Sequence, residues 1–261
     1  MVITQRRDRA NGFLVYNIPN PELLITPWTA GRRNRILSRL KPPENHPKTT
    51  RKLTENRGLQ MKPQNLLFIM ADEHNRQMLG CAGHDLVKTP NLDKLAARGT
   101  RFTSAYTNCP ICVPARASFQ TGNYTHRIRY WDNAIAYDGA IQGWGHRLQE
   151  AGIHVESIGK LHYRKDDDPL GFDARHIPMY IKEGVGSVTA AVRDPLPALD
   201  DEARTKPGFA AKAEAGSSSY TQYDAQVADL SCDWLKERGA SDDDTPWMLF
   251  ASFLSPHYPL T

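Results

Sequence analysis

The apolar positions of this chain gather into strand-length segments separated by helical patterns. "QNLLFIMADE" at 64–73 carries consecutive rather than alternating apolar residues, the mark of a parallel strand buried on both faces. "IHVESIG" at 153–159 predicts a second buried strand, and "TPWMLFASFLSPHYP" a third that stops at His257. "RFTSAYTN" at 101–108 is also strand-like. Between them, "KTPNLDKLAARG" has helix punctuation: Thr89 as N-cap, Pro90 in the first turn, Leu92, Leu95 and Ala96 on one face, Gly99 as the stop. "PARASFQTG" predicts a short helix opened by Pro114 and closed by Gly122, and "IQGWGHRLQEAG" another. In "YTQYDAQVADLSCDWLKERG" the residues Tyr223, Val227, Leu230 and Trp234 recur at helical spacing. Residues 184–220 read as a long irregular insertion. Strands alternating with helices predict an α/β fold: a mostly parallel sheet with helices on both faces.

In such folds the ligand crevice lies beyond the carboxyl ends of the strands. Polar, reactive side chains collect at those predicted ends. Asp72 and Glu73 follow the first strand, Cys112 follows the segment at 101–107, "GKLH" closes the strand at 153–158, and "SPHYP" follows the last. That coincidence marks one rim as a candidate active site.

Bulk properties narrow the class. At 261 residues and 40% hydrophobic, the chain can bury a substantial core. Its longest apolar runs are far shorter than the ~18 residues of a membrane span, so no membrane association is expected. Residues 1–60 hold 12 Lys/Arg against 4 Asp/Glu, whereas the remainder holds 21 against 25. The basic balance therefore belongs to the first segment alone, which reads as a disordered extension. No aromatic or glycine pattern accompanies its charges, so no nucleic-acid partner is expected. "FLVYNIPNPELLI" is broken by Pro19 and Pro21, and Arg32-Arg33 lacks a following apolar stretch. With no signal peptide recognised, the expected location is cytoplasmic. Met61 stands directly before the first strand, so residues upstream of it could be translation from an early start codon.

Four cysteines, at 81, 109, 112 and 232, are too few and too irregular for a disulfide framework. Cys109 and Cys112 form a Cys-x-x-Cys, but a structural zinc site would want a second close pair of ligands. Cys81, Cys109 and Cys232 read as buried cysteines on turns. Cys112 differs: it stands at the mouth of a helix, where unpaired N–H groups and the dipole favour an anion, with Arg116 one turn further on.

"CVPAR" followed by "ASFQTG" resembles the Cys-x-Pro-x-Arg signature of the type I, formylglycine-dependent sulfatases of the alkaline-phosphatase-like superfamily. The resemblance extends through "NLLFIMADE", "TPNLDKLAARGTRFTSAY", "GKLHYR" and "SPHYP", so it spans roughly 64–261. It implies that 61–261 is the N-terminal portion of a sulfatase catalytic domain acting on a small sulfate ester. It implies further that a maturase converts Cys112 to formylglycine, whose hydrate attacks sulfur with one hydroxyl and expels sulfate with the other. Asp72 and Glu73, with residue 112, match the family's ligands for a divalent cation, most naturally Ca²⁺. Arg116 would steady the hydrate and the charge beside the metal. Lys160 and His162 match the family's Gly-Lys-x-His, with Lys160 on the ester's developing charge and His162 as base. His257 would bind sulfate or assist the leaving oxygen, and Asn133 in "YWDN" would contact substrate. The histidines at 74, 84, 126 and 146 read as structural or surface groups.

Two departures from the family pattern shape the alternatives. Ala115 stands where serine is common, as in relatives that cleave phosphonate monoesters and phosphodiesters, while "GKLH" favours sulfate. Family chains also continue past the "PHYP" strand to a later Asp-Asn or Asp-His pair and a further lysine. The expectation is therefore a truncated product with an incomplete metal site, an open sheet edge, negligible arylsulfatase turnover and a tendency to aggregate. A catalytically silent fragment that serves as a partner subunit is the remaining alternative.

Overall fold

The computed structural model describes residues 64–184, 213, 215–258 and, as backbone, the two-residue strand at 3–4. The chain divides into two compact units, 1–16 with 63–261, and 17–62. The second lies outside the described residues, as do the rest of the predicted disordered extension and most of the predicted insertion.

Six strands and five helices matter here. The strands are β1 (Ile3–Thr4), β2 (Leu66–Ala71), β3 (Thr100–Arg101), β4 (His154–Lys160), β5 (Ala174–Met179) and β6 (Trp247–Phe253). The helices are α1 (Pro90–Ala97), α2 (Cys112–Thr121), α3 (Thr125–Ile128), α4 (Trp144–Glu150) and α5 (Ser219–Ala240). Four strands form a parallel sheet in the order β2-β6-β4-β5, with Leu66 opposite Met248 and Ile158 opposite Ala251. β1 and β3 form a separate antiparallel pair.

The period-2 alternation of a strand sends successive side chains to opposite faces of the sheet. Leu66, Phe68 and Met70 of β2, Val155 of β4, and Met248 and Phe250 of β6 pack on one face with Ala117 and Phe119 of α2 and Trp144 and Leu148 of α4. Phe119 lies 5.0 Å from Phe68 and 5.8 Å from both Phe250 and Trp144, centroid to centroid, within the range of favourable aromatic pairing. Leu67, Ile158, Trp247 and Leu249 face the other way onto Val227 and Trp234 of α5. Trp234 meets Trp247 edge to face at 4.9 Å. Both faces are thus covered, which is why these strands read as continuous apolar runs. Among the described residues no helix is long and apolar enough to cross a membrane.

Several expectations need correction. The strand expected at 101–107 is absent from the sheet: beyond Arg101 the residues are irregular and exposed, with Tyr106 at 92%. Its first residue, Arg101, pairs with Ile3 of β1, and from Phe102 onward no strand lies beside it among the described residues. Cys112 therefore reaches the rim on a helix packed against the sheet. That helix begins two residues before Pro114, which sits inside its first turn, and it ends at Gly122 in the left-handed region as expected. β6 ends at Phe253, short of His257. On α5 the buried stripe runs through Val227, Ser231 and Trp234, and Leu230 is 38% exposed.

Candidate active site

Gly159 and Lys160 establish the centre of the rim. The β4–β5 register shifts between Ile158 and Lys160, and Gly159 takes φ +99° there. A Cβ at Gly159 would stand 2.2 Å from the Ser252 carbonyl of β6, so only glycine lets the strands approach this closely. The next side chain, Lys160, is 2% exposed and donates from Nζ to Oδ2 of Asp72, just past the end of β2. Asp72 is itself 8% exposed.

Arg116 enters from α2 and completes the cluster. Its Nη1 donates to the Lys160 carbonyl at 2.6 Å and to Ser252 Oγ at 3.1 Å, and its Nη2 stands 3.6 Å from Asp72 Oδ2. Burial alone would raise the Asp72 carboxyl, but the Arg116 and Lys160 charges overcome it and hold Asp72 below its ordinary value. The rim thus buries two cations against one carboxylate.

His162 lies two residues past Lys160 with φ +53°, its N–H donating to the Met179 carbonyl at 2.7 Å. Its Nδ1 is buried with no hydrogen-bond partner among the described residues. Burial first, then the positive charges of Lys160 and Arg116, lower the imidazole to about 3. The ring is therefore neutral at physiological pH and, with those cations beside it, a weak base. His257 donates from Nδ1 to the Tyr258 carbonyl at 2.7 Å and turns Nε2 toward Glu73 Oε1 at 3.4 Å. Glu73 holds φ +59°, a left-handed backbone, and its carboxylate faces His257.

Cys112 is the first residue of α2 and is partly buried beside Val113, Ala136 and Ile181. Its Sγ donates to Asn133 Oδ1 at 3.6 Å, and the same oxygen accepts the Val113 N–H at 3.2 Å. Here the expectation of several unpaired N–H groups at the helix mouth is corrected in part. Val113's N–H is capped by Asn133, Pro114 has none, and Ala115's donates to the Ile111 carbonyl at 2.9 Å. The buried positive charge near this end of the helix is carried by Arg116 and Lys160. The cysteines expected to be buried are not: Cys81 and Cys109 are half-buried and Cys232 is exposed, all as free thiols.

The structure thus brings Asp72, Arg116 and Lys160 into direct contact, seats His162 against their charges, and joins Glu73 to His257. Asn133 contacts Cys112 itself. Sequence reading passed over Ser252, which holds Arg116, and Asp224 of α5, which accepts the N–H groups of Leu254 and Ser255, both at 2.7 Å. Ser252 shares the α2-facing side of β6 with Met248 and Phe250, a register signal that could have found it.

A parallel sheet sandwiched by helices, with a cysteine-headed helix and a buried cationic rim at the strand ends, defines an α/β protein of alkaline-phosphatase-like architecture. The Sulfatase family model matches residues 64–261, and the chain belongs to that family. It is 33% identical over 198 residues to the choline-sulfatase of Rhizobium meliloti, covering 75% of this chain and 38% of that protein. Arylsulfatase K of Bos taurus is 28% identical over 196 residues, covering 75% and 33%. Among solved structures, the phosphonate monoester hydrolase of Agrobacterium radiobacter is 26% identical with a TM-score of 0.52, covering 76% and 42%. A protein solved in complex with its substrate D-glucosamine-2-N,6-O-disulfate is 25% identical with a TM-score of 0.52, covering 75% and 35%. The chain spans about two-fifths or less of the curated relatives it matches.

Family membership carries the general expectation of formylglycine and a divalent metal. The donors present do not by themselves fit a cation. Among the described residues no three His, Cys, Asp or Glu side chains converge to hold one. Asp72 Oδ2 is engaged by Lys160, and Glu73 faces His257. A hard divalent ion takes about six or more oxygens.

Proposed function

We propose that this chain carries the nucleophile-bearing part of a sulfatase that hydrolyses small sulfate esters, with Cys112, matured to formylglycine, as the nucleophile. The observation that supports it is the buried charge balance at the head of α2. Among the described residues Arg116 and Lys160 face only Asp72 as a buried anion partner, which leaves a positive charge for an anionic ester to neutralise. Formylglycine supplies an aldehyde hydrate whose two hydroxyls serve attack and release. The chain's own residues do the rest. Arg116, fixed by Lys160's carbonyl and Ser252, presents its guanidinium in one orientation. Lys160 meets charge developing on the ester, the His162 ring takes a proton once the anionic ester offsets the two cations that weaken it as a base, and His257 binds the sulfate oxygens. Asn133 steadies residue 112 and contacts substrate beside it. Asp72 and Glu73 would contribute to a divalent cation site, Ca²⁺ being the ion their hard oxygens favour, with further oxygens completing it.

A formylglycine-generating maturase is the partner this reading requires, and a cytoplasmic setting is part of the same proposal. The test is co-expression with such a maturase, followed by mass spectrometry of the peptide bearing residue 112. Conversion of the side-chain CH₂SH to CHO is expected. An unmodified cysteine would overturn the reading and favour the silent, partner-subunit alternative. A second reading, phosphonate or phosphodiester hydrolysis, is favoured by Ala115 and by the likeness to a phosphonate monoester hydrolase. Paired rates on an aryl sulfate and an aryl phosphonate, with Cys112→Ala as control, separate the two.

A further inference from the structure

The segment that carries His257 leaves β6 at Phe253 and so loses its ladder. Leu254 is 1% exposed, and a buried N–H there needs a partner. Asp224, in the second turn of α5, supplies it: Oδ1 accepts the Leu254 N–H and Oδ2 the Ser255 N–H, both at 2.7 Å. A carboxylate is the side chain suited to this, because its two oxygens accept from consecutive amides and its charge strengthens both bonds. The Leu254 carbonyl in turn accepts the His257 N–H at 2.9 Å. A continuous path of hydrogen bonds therefore runs from Asp224 through Leu254 to the backbone of His257, whose ring sits 6.0 Å from Tyr220, one turn earlier on α5.

The docking of α5 does not depend on this path. Tyr223 OH donates to the Ile177 carbonyl at 2.6 Å, and Val227 and Trp234 are buried against the sheet. We propose that Asp224 is a positioning residue: it fixes the turn after β6 so that the His257 ring stands at the rim opposite Glu73. The functional weight of that placement rests on the sulfate-ester reading; the placement itself does not.

The experiment compares the chain with Asp224→Asn and Asp224→Glu. Asparagine keeps one acceptor and turns a donor toward the second N–H; glutamate keeps both oxygens on a longer arm. In the unaltered chain the Leu254 and Ser255 amides are expected to resist hydrogen exchange although they lie beyond the strand. In Asp224→Asn they should exchange about tenfold faster, the fold-change of one lost partnered N–H. The His257 ring resonances should move, and inorganic sulfate should bind more weakly while thermal melting stays close to that of the unaltered chain. Asp224→Glu should recover part of each effect. Unprotected Leu254 and Ser255 amides in the unaltered chain would overturn the proposal even if Asp224→Asn failed to fold, and so would unmoved His257 resonances in a folded variant. If the unaltered chain binds no sulfate while the His257 resonances still respond, the positioning role stands and the hydrolase reading is what falls.

Discussion

Lys160 reaches over the end of β6 to bond Asp72, tying together two strands that are not neighbours in the sheet. Strands two places apart lie about 10 Å from each other. Only a long side chain leaving a strand at its last residue can close that gap, and both partners are nearly out of reach of water. With Arg116 alongside, the three charges stand or fall together.

Removing the anion should cost more than removing one cation. Asp72→Asn leaves Lys160 and Arg116 facing each other in a buried rim, whereas Lys160→Met leaves Asp72 still partnered by Arg116. Lys160→Met is expected to lower stability by about 2–3 kcal/mol, below the ~3–5 kcal/mol of a fully broken buried pair, and Asp72→Asn by more. Urea unfolding of both variants checks the order, and added sulfate should recover part of the Asp72→Asn loss.

Acid should destabilise the fold through His162 before the carboxylates titrate. The folded ring takes up its proton only near 3, whereas the unfolded ring does so near 6.5. Between those values the unfolded state binds the extra proton, so stability falls as pH drops, by at most about 1.4 kcal/mol per pH unit. Above 6.5 the ring contributes no slope. Unfolding curves from pH 7 to 4 should be flatter in His162→Gln, while the loss from the lowered carboxyl of Asp72 belongs to still more acid conditions.

Gly159→Ala should be disproportionately harmful for one methyl group. The added carbon meets the Ser252 carbonyl and Val227 Cγ2 and must hold a left-handed backbone. A loss on the order of 3 kcal/mol is expected in urea unfolding, with weakened sulfate binding because Lys160 follows directly.

Asn133→Ala removes the acceptor shared by Cys112 and Val113. Losing a cap of this kind costs about 1 kcal/mol. The freed thiol should alkylate faster, as followed by iodoacetamide labelling of the unmatured chain.

The sheet's core was legible because β2, β4 and β6 are covered on both faces and so read as apolar runs. β5 was missed: "ARHIPM" carries Arg175, His176 and Pro178, and its place in the sheet comes from its ladder to β4, a long-range fact with no local signal. Asp72 and Lys160 could be picked out by type and by their place at strand ends, and Arg116 by its place one turn after Cys112, but not their mutual contact, which depends on strand order. The expected strand at 101–107 had strand-like composition, but among the described residues only Arg101 finds a partner, Ile3 of β1. Asn133 was noticed as a substrate contact, yet its bond to the helix that bears Cys112 follows from packing alone. Asp224 stood unnoticed on a helix surface, since nothing in one chain's spelling reveals which loop will pass beneath it.

Asn133's grip on the first turn of α2 bears on discrimination between oxyanions. A cradle of main-chain amides would grade ligands by shape, in the manner of a mould. On the sulfate-ester reading the recognition elements would be two long cationic side chains, which respond to how much negative charge arrives and less to its outline. Such a rim would separate a singly charged ester from a doubly charged one mainly through valence, and ionic strength would blur that distinction.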